Sequence, residues 1–444
     1  MNTLGGIIVA RLLSPSEYGI YHVTLVLPNL LLLFSDWGIN PALTRFIALY
    51  KSKGDTNSVR EIERSGIFFK LIVGGSLSLF LFLFADFLTD AFLGKPEVGG
   101  LVKVASLIIL FESLTSTFSN TLSGLDRLDY RGVVRASQGV INGLCSPLLV
   151  YLGYNVSGAI IGSVVSYIVS SGVGFLLTTK SNPNFVSKEE MNLRLMDGLR
   201  MMLRFGVPIF IGVIVGGFSG QLQGILVSWF LTFEVIGNYR VAERFLGIVG
   251  LFNSSITTTL LPTFSKISYA NEQKKARDIF RNSVRYSAFT VIPLSALLAT
   301  ISRPAINLIF TAKYPEAPLF FSLLLIPTMY VGIGALSIED FFNSQGDTGT
   351  TMKIRVVGTV SFLVCSPLLI WKFGAVGLII STIIQSTVIN LHRLIELKRK
   401  YDLYPDIRHT IKILVCSGVS AGLAYAAMNF ILSSKPIFNL LIGT

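Results

Sequence analysis

Charge is what this chain has least of. Only 14% of its 444 residues are Asp, Glu, Lys or Arg, against about a quarter in a soluble domain. Apolar residues make up 51%, and the mean hydropathy is +0.65. Stretches at 67–85, 104–121, 140–178, 205–233, 356–371, 373–391 and 413–432 carry almost no charge. With their flanks they can cross a hydrocarbon core of about 30 Å, which takes about 20 helical residues. A soluble globular protein is excluded. Continuous rather than alternating apolar runs also exclude a β-barrel. The three cysteines, Cys145, Cys365 and Cys416, all lie in apolar runs, so there is no disulfide framework and no zinc spacing. The three histidines are too scattered for a metal site. A Gly-x-x-x-x-Gly-Lys-Ser/Thr loop is absent, and so are Ser/His/Asp groupings and His-Glu-x-x-His. The expectation is a protein that is not an enzyme and carries no cofactor or metal.

What remains is an all-α membrane protein of 12–14 transmembrane helices. About 13 spans are expected, near 1–13, 19–43, 66–88, 100–122, 136–153, 156–178, 205–230, 236–261, 286–310, 317–342, 354–371, 374–392 and 412–432. The formal charge of +12 would suggest nucleic acid in a soluble chain. Here its position decides. Of the 37 Lys and Arg residues, 28 fall at alternate loops: 45–70, 123–135, 180–204, 266–285, 353–355 and 393–412. The positive-inside rule makes that side cytoplasmic, with the N-terminus, and leaves membrane lipids rather than nucleic acid as the partner of the charge. The first span is short, as if half a helix were missing. The segment 436–444 reads as the opening turns of a further span.

The chain repeats itself. Cys145-Ser-Pro-Leu-Leu149 recurs as Cys365-Ser-Pro-Leu-Leu369, with Val134-Arg135 facing Ile354-Arg355 at the same offset. Leu13, Gly19 and Tyr21 have the spacing of Leu231, Gly237 and Tyr239. Two ordered matches point to a duplicated unit. The expected domains are a six-helix lobe at 1–180, a linker at 181–204, a second six-helix lobe at 205–400 and an appended helix and tail at 401–444. In the linker, Ser187-Lys-Glu-Glu190 reads as a capping box. Met191, Leu195, Met196, Leu199, Met202 and Leu203 follow at helical spacing with Arg194, Arg200 and Arg204 between them, an amphipathic helix on the cytoplasmic face.

Polar residues inside apolar runs are the candidate functional groups, because a charge at the bilayer centre costs several kcal/mol. Asp36, Glu112, Glu339 and Asp340 are such carboxylates, joined by Gln221, Gln223, Asn253 and Gln385. Helix–helix hydrogen bonds and snorkelling ends are the plainer reading. A cavity lined for a head group or coupling ion is the functional one. Gly212, Gly216, Gly220 and Gly224 form a four-residue stripe beside Pro208, suited to close packing or to a bendable, gating span.

At Ala10-Arg-Leu-Leu-Ser-Pro-Ser-Glu-Tyr-Gly-Ile-Tyr21 the chain resembles the polysaccharide (O-antigen type) flippases of the multidrug/oligosaccharidyl-lipid/polysaccharide exporter superfamily. Their first loop reads Ala-Arg-Leu-Leu-Gly-Pro-x-x-Tyr-Gly-x-Tyr. Gly38-Ile-Asn-Pro-Ala42-Leu-Thr-Arg45, Gly237-Asn-Tyr239-Arg-Val-Ala242-Glu-Arg244, Leu261-Pro-Thr-Phe-Ser265 and Ile309-Phe-Thr-Ala-Lys-Tyr314 follow in the family's order. Ser14 departs from the usual Gly, and Gln221-Leu-Gln223 stands where many members carry an acid. The resemblance implies two six-helix lobes around a central cavity. It implies flipping of polyprenyl-phosphate- or diphosphate-linked oligosaccharide from the inner to the outer leaflet of the cell membrane by alternating access, in glycan biosynthesis. Arg45, Arg240 and Arg244 would then meet the phosphates, since guanidinium matches them bidentately. Asp36, Glu112 or Asp340 would handle a coupling cation. A glycan polymerase or glycosyltransferases would be further partners. The competing readings are a cation-coupled multidrug antiporter of the same superfamily and a non-transporting scaffold for glycan assembly.

Overall fold

The computed structural model describes residues 2–182, 195–266, 269 and 272–442. Among them there is no strand, and helices follow one another from end to end. Two compact units form, Met1–Gly237 and Asn238–Thr444.

The first unit opens with α1 (Asn2–Leu12) and α2 (Pro15–Thr24). Ser14 caps α2: its hydroxyl accepts from the Glu17 N–H at 3.3 Å, and the Glu17 carboxylate accepts from the Ser14 N–H at 2.8 Å. With Pro15 in the first turn this is a complete capping box, which accounts for serine at the position where glycine was expected. α3 (Val26–Leu33) and α4 (Ile39–Ser52) follow. The span expected at 19–43 is therefore three helices, not one. The chain turns between α3 and α4 at Trp37 (φ 49°) and Gly38 (φ 75°). A Cβ on Gly38 would lie 2.1 Å from the Gly206 carbonyl oxygen, so this turn needs glycine for both its sign of φ and its contact.

α5 (Thr56–Leu88), α6 (Gly99–Ala105), α7 (Leu107–Gly124), α8 (Leu128–Leu149), α9 (Asn155–Ser181) and α10 (Leu195–Phe230) complete this unit, with the first turns of α11 (Phe233–Ser265). Ile39, Ala42, Leu43 and Ile47 of α4 pack with Ile62 of α5 and Met202 of α10 in one buried cluster. Phe80, Phe82, Leu83, Phe84 and Phe87 of α5 stay exposed, a face suited to lipid. The second half of the expected surface helix, 195–204, is the start of α10; residues 183–194 lie outside the described residues. α10 packs on α3, α4 and α5.

The second unit contains the rest of α11, α12 (Gln273–Thr300), α13 (Ser302–Phe310), α14 (Ala317–Leu324), α15 (Ala335–Ser344), α16 (Thr348–Tyr401) and α17 (Ile407–Ile442). The expected spans 286–310 and 317–342 are bent, by 73° at Ile301 and by 53° at Gly334. Phe264, Phe280, Phe341 and Phe342 centre its core. α17 runs on through residue 442, so 436–442 continue this helix instead of opening another.

The repeated pentapeptide builds the same object twice. A straight helix of 54 residues would be about 80 Å long, far beyond a bilayer, and both long helical stretches fold back. Leu128–Ser181 turns at Gly153 (φ 93°) and Asn155; Thr348–Tyr401 turns at Gly374 (φ 57°, ψ −134°). The returning arm then touches the pentapeptide's backbone. A Cβ on Gly158 would meet the Leu149 carbonyl carbon at 2.8 Å, and one on Gly377 the Leu369 oxygen at 1.9 Å. The other repeat match is reciprocal: a Cβ on Gly19 would lie 1.9 Å from the Phe233 oxygen, and one on Gly237 1.9 Å from the Pro15 oxygen.

Candidate functional site

In the first unit the turn after α3 presents Asp36. Its Oδ1 accepts from the Asn40 N–H at 3.2 Å and from Lys70 Nζ at 2.7 Å. Lys70, on α5, is 1% exposed. It ends the basic segment 45–70, and instead of standing in a loop it lies in the bundle interior. A buried ion is tolerated only when paired, and Asp36 supplies the pair. Glu112 of α7 lies within electrostatic reach of Lys70 and of Arg135 on α8, and Tyr167 of α9 is within reach of Glu112. Asn40 donates to the Ser116 hydroxyl at 2.9 Å, and the Thr115 and Ser170 hydroxyls meet at 3.0 Å. Five helices thus line one polar seam, joining two of the three expected carboxylates through a lysine that sequence reading passed over. The signal was present: Lys70 is the one cation within the run 67–85.

Arg45, two turns beyond Asp36 on α4, is exposed. Its guanidinium stands 4.3 Å from the centre of the Phe205 ring and 5.7 Å from that of Phe46, a cation–π arrangement. Beside it lies a hollow of about 410 Å³ lined by Phe46, Arg200, Arg204 and Phe205.

In the second unit the Glu339 carboxylate is held by two guanidiniums of α16, Arg355 and Arg393. Arg393 also donates to the Ala335 carbonyl at 2.9 Å. Neighbouring Asp340 has a buried Oδ2 with no hydrogen bond among the described residues. Arg355 is the repeat partner of Arg135, so in each unit the matched arginine faces an acid on the preceding helix, Glu112 or Glu339. Arg240 donates to Glu243 at 2.7 Å, and Arg244 has a buried Nη1 with no hydrogen bond among the described residues.

The glycine stripe lies largely in open surroundings where it is described. Among the described residues nothing lies within 4 Å of a Cβ on Gly212 or Gly220, and Gly224 meets Val26 at an ordinary 3.4 Å. The surroundings of Gly216 lie outside the described residues. Close approaches on α10 occur instead at Gly206, against Gly38, and at Gly217, against Leu33. Pro208 is exposed and lines an apolar groove at the start of α10. Among the described residues no three His, Cys, Asp or Glu side chains are grouped to hold a metal.

A family model described as polysaccharide biosynthesis protein matches residues 8–318. The chain belongs to the polysaccharide biosynthesis protein family. Within reach of this family, it is 23% identical to the probable low-salt glycan biosynthesis flippase Agl15 of Haloferax volcanii, over 94% of this chain and 85% of that one. Its fold is similar to the lipid II flippase MurJ in an inward closed conformation, with a TM-score of 0.75 and 19% identity over 96% of this chain and 91% of the other. A multidrug resistance MATE family transporter of the MOP superfamily in an inward-facing conformation is similar at a TM-score of 0.72 and 14% identity, over 90% and 94%. This polysaccharide biosynthesis protein is therefore a multi-pass, all-helical membrane protein with the fold of these transporters.

Proposed function

We propose that this chain is a secondary transporter that flips polyprenyl-phosphate- or diphosphate-linked oligosaccharide from the inner to the outer leaflet of the cytoplasmic membrane by alternating access. The observation that carries the reading is Arg45: a guanidinium that among the described residues has no carboxylate partner, set over the Phe205 ring beside an arginine-lined hollow. An anionic head group is the natural ligand for such a site. The carboxylates support the same choice of cargo, because Asp36 and Glu339 are already engaged by cations, whereas a site for cationic drugs needs them open. Asp340, with its unbonded oxygen, and Glu112 are the candidates for a coupling cation. Arg240 and Arg244 are candidate phosphate contacts in the second unit, and Pro208 with the glycines of α10 the candidate flexible segment. The N-terminus lies in the cytoplasm. Enzymes that build and consume the lipid-linked glycan are the expected neighbours.

The test is transport in proteoliposomes loaded with fluorescent polyprenyl-diphosphate oligosaccharide, read by quenching of the outer leaflet. Arg45→Ala should slow flipping at least tenfold, and Arg45→Lys should restore only part of it, since lysine is a point charge without the bidentate fork. Normal flipping in both variants sinks the assignment.

A further inference from the structure

We propose that the first turns of α10 are the site where the cargo lipid docks from the cytoplasmic leaflet: Arg200 and Arg204 hold its diphosphate, and its isoprenoid chain lies in the groove alongside. This rests on the flippase reading and names where the substrate first engages.

Arg200 and Arg204 are four residues apart and so share one helix face. Like charges at that spacing repel. Among the described residues neither is paired with a carboxylate, and both are exposed. Together with Asp197 they line two hollows, each otherwise walled by apolar side chains. On one side is the hollow of about 410 Å³ walled by Phe46, Met201 and Phe205, over whose Phe205 ring Arg45 stands. On the other is a groove of about 730 Å³ walled by Met196, Leu199, Leu203, Val207 and Pro208. A ligand that satisfies both is an amphiphile with an anion at one end and a long apolar chain at the other.

Charge narrows the choice. Arg45, Arg200 and Arg204 against Asp197 leave a surplus of positive charge that suits a diphosphate better than the single charge of a phosphodiester lipid. Geometry agrees: Arg200 to Pro208 spans about 12 Å at 1.5 Å per residue. That is enough to run from the head-group level into the hydrocarbon, given that this end of α10 is cytoplasmic by the charge distribution. Proline at the inner end adds an apolar ring and no N–H.

The experiment uses the full-length protein in nanodiscs and a polyprenyl diphosphate carrying a photoreactive group on its first isoprene unit. Labelled peptides are mapped by mass spectrometry. Labelling should fall within residues 196–208, drop at least tenfold in Arg200→Gln/Arg204→Gln, and survive a hundredfold excess of phosphatidylglycerol. A second variant, Leu203→Trp, fills the groove without touching the charges and should also reduce labelling. Unchanged labelling in the arginine variant, equal labelling by a polyprenol lacking phosphate, or displacement by phosphatidylglycerol each overturns the docking site. Labelling elsewhere in a chain that still flips lipid overturns it too, while leaving the transport reading intact. A protein that neither labels nor flips removes both.

Discussion

At the scale of single residues, burial sets the energetics. Lys70 is tolerable inside the bundle only because Asp36 faces it at 2.7 Å. Lys70→Met should destabilise the protein by about 3 kcal/mol, near the lower end for breaking a buried pair, because Asp36 keeps a third of its exposure. Asp36→Asn added to Lys70→Met should recover most of that loss. Thermal unfolding in detergent reads both; a single variant as stable as the parent removes the pair from the account. Asp55, outside the spans, caps α5. The Ser58 hydroxyl and N–H hold its carboxylate below the usual range. A depressed folded-state pKa gives stability that is full above the unfolded value and lost as pH falls through the folded one. Asp55→Ala should thus cost about 0.5–2 kcal/mol at neutral pH and progressively less as pH falls below the ordinary carboxylate range, a trend that unfolding curves over a series of acid pH values would show. The acids Asp36, Glu112 and Asp340 were legible in the sequence because a carboxylate in an apolar run stands out. Lys70 and Arg393 were not singled out, because each lies at a span end where a cation reads as part of the neighbouring basic loop, 45–70 or 393–412. Only the packing shows which helix each one faces.

Elements were legible where hydropathy is continuous and hidden where the backbone bends inside it. The turns at Gly153 and Gly374 fall where two spans were expected to part. The break at Trp37–Gly38 and the bends at Ile301 and Gly334 were not expected, because apolar residues run through them and only φ reveals the turn. Glycine spacing has a related limit: a stripe marks where a neighbour fits, not whether one is there. Gly377→Ala should lower stability by about 1–3 kcal/mol, the usual cost of overpacking, since its Cβ would lie 1.9 Å from the Leu369 oxygen. Gly220→Ala, with open space around it, should be neutral or stabilise by up to about 1 kcal/mol through helix propensity. Comparing the two unfolding temperatures tests the contrast; equal effects would mean that the close approach at Gly377 carries no weight.

For the whole molecule, the lopsided distribution of Lys and Arg predicts its orientation. In a variant lacking Cys145, Cys365 and Cys416, a cysteine at Glu97 should react with a membrane-impermeant maleimide on intact cells. One at Asp402 should react only after lysis. The reverse pattern would invert the topology. Duplication was readable from five identical residues and a handful of spacings, and the reason for their persistence is now physical: each pentapeptide is the arm against which a glycine of the returning helix closes. That closeness bears on how the protein is made. With only a few residues between its arms, neither half of such a hairpin can be released into lipid and wait for the other. On the orientation that the Lys and Arg distribution predicts, each pair should leave the insertion machinery together, tip first, carrying Tyr151 and Tyr154 across in one case and Lys372 in the other. Biogenesis is then counted in hairpins, and a lesion at either glycine turn would surface as failed insertion and rapid degradation before any defect in transport could be measured.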